Sequence, residues 1–232
     1  HMIVCADYGQ IELRIGAFVT QDRRLIEVMK DPTRNLHKEV MLECHLAEKR
    51  YAKNVNFGAF YGAEDDAIAK QCGAPLPIIH AARMKHKSMF PTLYAVRQQH
   101  IQAIQRRGYA ESALEHFRRY LPDLYSKDPS RRAAAEREGF NHEIQGGSAD
   151  ITKRLMLDVR KVLDARKGKV ERVEEIRLML QVHDEVLYSV PIPLVGWFVG
   201  LLEAVADTGV LGEIPIVIEP HWGKNWKEAK GD

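Results

Sequence analysis

Four side chains in the stretch Lys49-Arg50-Tyr51-Ala52-Lys53-Asn54-Val55-Asn56-Phe57-Gly58-Ala59-Phe60-Tyr61-Gly62 have types suited to gripping a nucleotide. Lys49, Lys53, Phe57 and Tyr61 recur at every fourth position. On a helix each such step turns about 40°, so the four share one slowly drifting stripe. Ammonium groups are compact point charges suited to phosphate oxygens, and aromatic rings offer faces on which a base or sugar can stack. The alternative is an amphipathic helix with solvated lysines, its aromatics buried with Val55.

Two further sets of residues carry possible chemistry. Asp7 closes the apolar run Ile3-Val4-Cys5-Ala6, where a carboxylate can hold a metal or cap the helix that follows. Asp184 and Glu185 follow His183 between the apolar runs Val173–Leu180 and Val186–Val190. Two strands joined at His183-Asp184 would present the acids at a hairpin tip. Arg137, Asn141 and Gln145 lie four residues apart and can donate to phosphates, sugars or base edges, or simply form a polar helix face.

The elements that must position these groups read as follows. A short buried strand over 3–8 gives way at once to helical periodicity over 10–18. Helices follow at 22–30 and 35–46, the latter holding His37 near its start, then 65–71, 78–89 and a long helix ending at Arg107. Segments 108–113 and 117–122 suit a small hairpin. Helices over 130–140 and 148–167, a helix over 194–207 and a last strand over 214–218 complete the chain.

The string K-R-x-x-K-x-x-x-F-G-x-x-Y-G at 49–62 resembles motif B of the family A DNA polymerases. D-Y-G-Q-I-E-L-R, beginning at Asp7, resembles motif A, with Gly9 where the family usually has Ser. H-D-E at 183–185 resembles motif C, and E-R-x-x-x-N-x-x-x-Q-G-x-x-A-D-I is similar to the family segment lining template and primer. G-Y-A-E-S followed by R-R-Y-L-P is also family-like, but Leu114-Glu115-His116 replaces the usual Phe-Gly-Arg turn. The ending Trp222-Gly223-Lys224-Asn225-Trp226 echoes the family C-terminus.

The resemblance implies an α/β (α+β) fold, in which an antiparallel palm sheet carries the catalytic aspartates beside a largely helical fingers subdomain. It places palm at 3–19, fingers at 20–125 and palm again at 126–232, with thumb and exonuclease absent. It implies template-directed DNA synthesis on a primer-template with dNTPs. Two Mg²⁺ ions, replaceable by Mn²⁺, are implied on Asp7, the Tyr8 backbone carbonyl and Asp184, with Glu185 secondary. Lys53 is assigned to catalysis as well as to the nucleotide. Gln10, Glu12, His37, Lys49, Arg50, Phe57 and Tyr61 would complete the nucleotide site, with Glu12 crowding the ribose 2′ position. Arg137, Asn141, Gln145 and His183 would meet template and primer. The family usually has arginine where Lys49 stands, so bidentate phosphate contact is lost there.

Composition narrows the alternatives. The 232 residues suffice for a real core, and Lys+Arg 34 against Asp+Glu 32 gives only +2, so no global charge announces a nucleic acid. Positive charge concentrates locally, with nine Lys/Arg against five Asp/Glu between Arg97 and Arg137. Cys5, Cys44 and Cys72 have no metal-knuckle or disulfide spacing, which points to a reducing compartment. The longest apolar run, Val190 to Leu202, holds two prolines and is too short for a bilayer, so no membrane role is expected. The expected location is the cytoplasm, or a host cytoplasm for a viral or phage protein. Two rivals to the catalytic reading remain. One is an inert C-terminal half of a split polymerase that binds nucleic acid and needs an N-terminal portion carrying the thumb. The other is a metal-dependent nuclease, for which the stripe would have no use.

Overall fold

The structure, a computed structural model, describes residues 1–230. The first half contains β1 (Met2–Tyr8), α1 (Ile11–Thr20), α2 (Arg23–Lys30), α3 (Leu36–Glu43), α4 (Lys49–Tyr61), α5 (Asp65–Cys72), α6 (Leu76–Met89) and α7 (Pro91–Arg107). Then come β2 (Tyr109–Glu111), β3 (Arg118–Tyr120), α8 (Pro129–Arg166), β4 (Arg177–Val182), β5 (Glu185–Val190), α9 (Val195–Ala206), β6 (Ile218–Gly223) and α10 (Trp226–Lys230). They form two compact units, one of His1–Ile11 with the chain from Ser148 onward, the other of Glu12–Gly147. Among the described residues no helix is long and apolar enough to cross a membrane.

The first unit is built on a four-stranded antiparallel sheet in the order β4-β5-β1-β6. Val4, Cys5 and Ala6 put β1 at its buried centre, and α9 packs over it, with the Phe198 ring 4.9 Å from that of Tyr188. The last strand runs over 218–223, where the sequence pattern favours 214–218. Pro220 argues against a strand there, yet β6 is an edge, and an edge strand needs no ladder donor on its outer side. At the other edge β4 is exposed along nearly its whole length, including Leu178, Met179 and Leu180.

The second unit is helical apart from the β2–β3 hairpin. Asp22, 2% exposed, ties it together: Oδ1 accepts from the Arg24 and Leu25 N–H groups at the start of α2, and Oδ2 from Thr92 and Leu93 at the start of α7. Gly16 lets α1 approach the Phe60 ring of α4, since a Cβ there would lie 2.3 Å from a ring carbon. The hairpin turn without its usual glycine is closed by His116, whose φ is +57°, and by Ser112, whose hydroxyl accepts from Phe117 N–H at 3.0 Å. Helix α8 runs unbroken through Gly146 and Gly147, and a Cβ on Gly146 would meet Ser112 at 2.8 Å.

Candidate active site

Asp7 stands at the end of β1, cross-strand from Glu219 on β6. Tyr8 follows it, its N–H donating to Asp7 Oδ1 at 2.9 Å, and the Gly9 N–H is anchored on Val217 O. The β4–β5 connection is the two residues His183 and Asp184. His183 takes φ +54°, the left-handed conformation that a two-residue hairpin turn requires at its first position, just where the carboxylate emerges. The side chain of Gln181 holds it by donating to the His183 carbonyl at 3.1 Å.

Although Asp7 as a residue is exposed, desolvation of its carboxyl and then the charge of Asp184 push its pKa above the usual range. A carboxyl whose ionisation is opposed by burial and by a neighbouring acid suits a bound cation, and carboxylates with the Tyr8 carbonyl make a hard-oxygen donor set. Among the described residues no cluster of three or more His, Cys, Asp or Glu stands ready for a metal. Ions bound here would take the rest of their ligands from water and substrate, a habit of Mg²⁺.

Glu185 behaves differently from its neighbour. It is 4% exposed, and its Oε1 accepts from Cys5 Sγ at 2.5 Å and Trp226 Nε1 at 2.7 Å, while Oε2 pairs with Lys230 Nζ at 2.7 Å. Burial opposes its charge, but these donors outweigh burial and hold its pKa below the ordinary value. The same burial, with Glu185 alongside, pushes the Cys5 thiol up to about 12. Glu185 is thus the anchor between the sheet and α10.

In the second unit the α4 stripe is not core. Ala52, Val55, Asn56, Ala59 and Phe60 face inward, leaving Lys49 and Lys53 exposed and Phe57 and Tyr61 half-buried. The Phe57 and Tyr61 rings stack with centroids 5.8 Å apart and 13° between planes, and Lys53 Nζ lies 5.9 Å from the Phe57 centroid. The Tyr61 hydroxyl donates to the Glu12 carboxylate, and both line an open cavity of about 590 Å³ together with Lys53 and Phe57. His37 on α3 adds its ring 5.6 Å from Phe57. Burial first, then Lys53 and Lys49, lower its pKa to about 4. Arg50 turns elsewhere, pairing with Glu48 at 3.2 Å and covering Tyr51.

On α8, Arg137 and Asn141 are half-buried and Gln145 is exposed. Arg137 lies against Gly62, the left-handed C-cap of α4, where a Cβ would meet Arg137 Cγ at 3.3 Å. The basic segment is largely paired within the fold. Arg107 and Arg118 meet Glu111, Arg119 meets Glu138 and Arg131 meets Asp123, while Arg97 donates to Phe60 O at 3.0 Å. Gln10 takes φ +56°, and its Oε1, like Asn141 Oδ1, is a buried acceptor with no hydrogen-bond partner. Buried acceptors without a partner are uncommon, and a water, an ion or a ligand can satisfy them.

The sequence model of DNA polymerase family A matches residues 1–228. The chain belongs to DNA polymerase family A. It is 33% identical over 99% of its length to DNA polymerase I of Geobacillus stearothermophilus, and 32% identical over its full length to the thermostable DNA polymerase I of Thermus filiformis. These alignments cover 26% and 28% of the relatives, so the chain spans about a quarter of their length. Among solved structures, the POL domain of Pol1 from M. smegmatis, in complex with DNA primer-template and dNTP, superposes with a TM-score of 0.86 at 26% identity. That match covers 99% of this chain and 41% of the other. The mixed fold of a small antiparallel sheet with many helices is that of a family A polymerase domain. Sequence reasoning missed Glu219, Asn56, His86 and the α10 pair Trp226 and Lys230. Each acts through a contact distant in sequence, and only the cross-strand place of Glu219 follows a simple pattern, once β6 is placed correctly.

Proposed function

We propose that this chain carries out nucleotidyl transfer from dNTPs to a primer 3′-hydroxyl, directed by a DNA template. In this assignment 3–19 and 126–232 serve as palm and 20–125 as fingers. The observation that carries the proposal is that Asp7 and Asp184 stand at one end of the sheet, close enough for the Asp184 charge to raise the Asp7 pKa. When bound there, two divalent cations, Mg²⁺ or in its place Mn²⁺, supply the Lewis acidity that activates the hydroxyl and stabilises the leaving pyrophosphate. Family A polymerases generally use divalent metal ions.

The chain's own residues do the rest. Lys53 neutralises the α-phosphate side and hands a proton to the departing pyrophosphate, with Lys49 and His37 on the outer phosphates. Phe57 stacks at the sugar and base. Tyr61, held by Glu12, closes the base-pair pocket, and Glu12 in turn crowds a ribose 2′-hydroxyl. Gln10 completes the nucleotide site, and Arg137, Asn141, Gln145 and His183 meet the template and primer. Primer extension with one labelled deoxynucleotide, Mg²⁺ and low salt, set beside Asp184→Ala, tests this directly. Incorporation lost in the variant supports it, and equal incorporation by both sinks it.

A second reading draws on the surface of the first unit. The exposed edge β4 and an apolar cavity of about 530 Å³ beside it, lined by Met156, Leu157, Leu163, Ile176, Leu178 and Tyr188, offer a ladder and a greasy face to further polymerase sequence. In that case the chain binds nucleic acid and turns over only once an N-terminal portion docks. Incorporation that appears only on adding that portion would favour it.

A further inference from the structure

A line of polar side chains crosses the interior of the Glu12–Gly147 unit. Asn56 is fully buried on the inner side of α4. Its amide nitrogen lies 2.9 Å from Nδ1 of His37 on α3, and its amide oxygen 2.9 Å from Nε2 of His86 on α6. Nδ1 of His86 lies 3.0 Å from the hydroxyl of Tyr94 on α7. Each bond constrains the next. An amide NH₂ only donates, so His37 accepts at Nδ1 and carries its proton on Nε2. An amide oxygen only accepts, so His86 donates from Nε2 and accepts the Tyr94 hydroxyl at Nδ1.

Burial and the neighbouring cations oppose a charge on either ring. Lys49, Lys53 and the Phe57 ring face His37; Arg83 and the Phe90 ring face His86. For His86, burial first and Arg83 second lower the pKa to about 3. Packing alone has no need of this line, since apolar side chains of similar shape fill a core at least as well. What the polar line adds is direction, because it ends on a ring beside the α4 stripe.

We propose that Asn56, His86 and Tyr94 are positioning residues for His37, holding its imidazole neutral with Nδ1 engaged and presenting the Nε2–H to a phosphate oxygen of the incoming nucleotide. The proposal rests on the assignment of His37 to the outer phosphates. A neutral donor suits a site that already holds two lysines, since it recognises the phosphate without adding a third mutually repelling cation.

Imidazole ¹⁵N shifts of the whole chain at pH 7, recorded without nucleotide, read the tautomer directly. The expected state of His37 is Nε2–H, passing to a mixture in Asn56→Leu. An imidazolium or an Nδ1–H tautomer in the unaltered chain overturns the proposal, whatever the chain does with nucleotide. Kinetics supply the second arm, with equilibrium dialysis of labelled dNTP in place of KM where turnover is too slow. Asn56→Leu should raise KM for dNTP about tenfold, the worth of one hydrogen bond to a charged group, with kcat within about twofold. In a His37→Ala background the same change should add less than about twofold, because its route is gone. Additive effects would mean that Asn56 acts on the fold alone and overturn the proposal. If Asn56→Leu fails to fold, Tyr94→Phe takes its place, with a rise of about two- to threefold that also vanishes in the His37→Ala background. An unchanged KM in His37→Ala itself defeats the phosphate assignment, and the positioning role with it. A raised KM there beside an inert Asn56→Leu defeats the positioning role alone.

Discussion

Lys53 and Glu185 show how differently two charged residues of recognisable motifs are used. Lys53 is exposed on α4, its ammonium group beside the Phe57 ring, so removing it costs little stability. Lys53→Ala is expected to lower kcat/KM for single-nucleotide incorporation by roughly 10²–10³-fold while changing the free energy of unfolding, read by urea, by no more than about 0.5 kcal/mol. Glu185 is the opposite case. Its truncation orphans the Trp226 and Lys230 donors beside β1 and leaves the Cys5 thiol without its acceptor. Glu185→Ala should destabilise the chain by about 2–4 kcal/mol, read by urea unfolding, whereas Asp184→Ala should leave the midpoint nearly unmoved. A Glu185→Ala chain of full stability and no activity would instead make it a direct participant in the chemistry. From the sequence, H-D-E looks like one acidic pair. Asp184 stays in the turn while Glu185 opens β5, and the partners that claim Glu185 lie at the two ends of the chain.

At the level of elements, a single carboxylate decides how two helices begin. Asp22 caps α2 in the ordinary local way, which its position just before an apolar-periodic run makes legible. Its second oxygen caps α7, 70 residues away in sequence, and nothing in the local pattern around Thr92 reports that. Asp22→Ala should therefore cost about 2–4 kcal/mol, more than the roughly 1 kcal/mol of one surface cap. Asp22→Asn should recover only part of this, because an amide presents one accepting oxygen and the two helices need two. Chemical denaturation of the three chains checks the order, and an Asn variant as stable as the original would show that one cap suffices. The same limit explains β6. Periodicity favours the apolar 214–218, but the edge place that tolerates Pro220 is a property of the finished sheet. What the sequence made legible, the motif order, the α4 stripe and the β4–β5 hairpin, depends on local spacing alone.

For the molecule as a whole, the buried histidines set a pH limit that net charge does not reveal. A formal charge of +2 with an isoelectric point near 8.4 suggests a chain indifferent to mild acid. His37 and His86 are nonetheless held neutral in the fold, with pKa values lowered to about 4 and about 3. In the unfolded chain both return toward the ordinary value near 6.5. Above pH 6.5 neither state binds these protons, and stability is flat in this respect. Below it the unfolded chain takes up protons that the folded chain refuses, so stability falls as pH drops from about 6.5 toward 4. At pH 5 each histidine costs about 2 kcal/mol by this linkage, and because Asn56 joins the two rings their costs need not add. Most carboxylates titrate below this window, which leaves pH 7 to 5 to the histidines. Thermal unfolding followed by circular dichroism should show a clearly lower Tm at pH 5 than at pH 7.5. A His86→Gln chain should start less stable at pH 7.5 and lose less of what remains on acidification. Equal slopes in the two chains would mean that His86 already binds its proton in the folded state, and the polar line from Tyr94 to His37 would then have to carry a charge that its donors and acceptors do not accommodate.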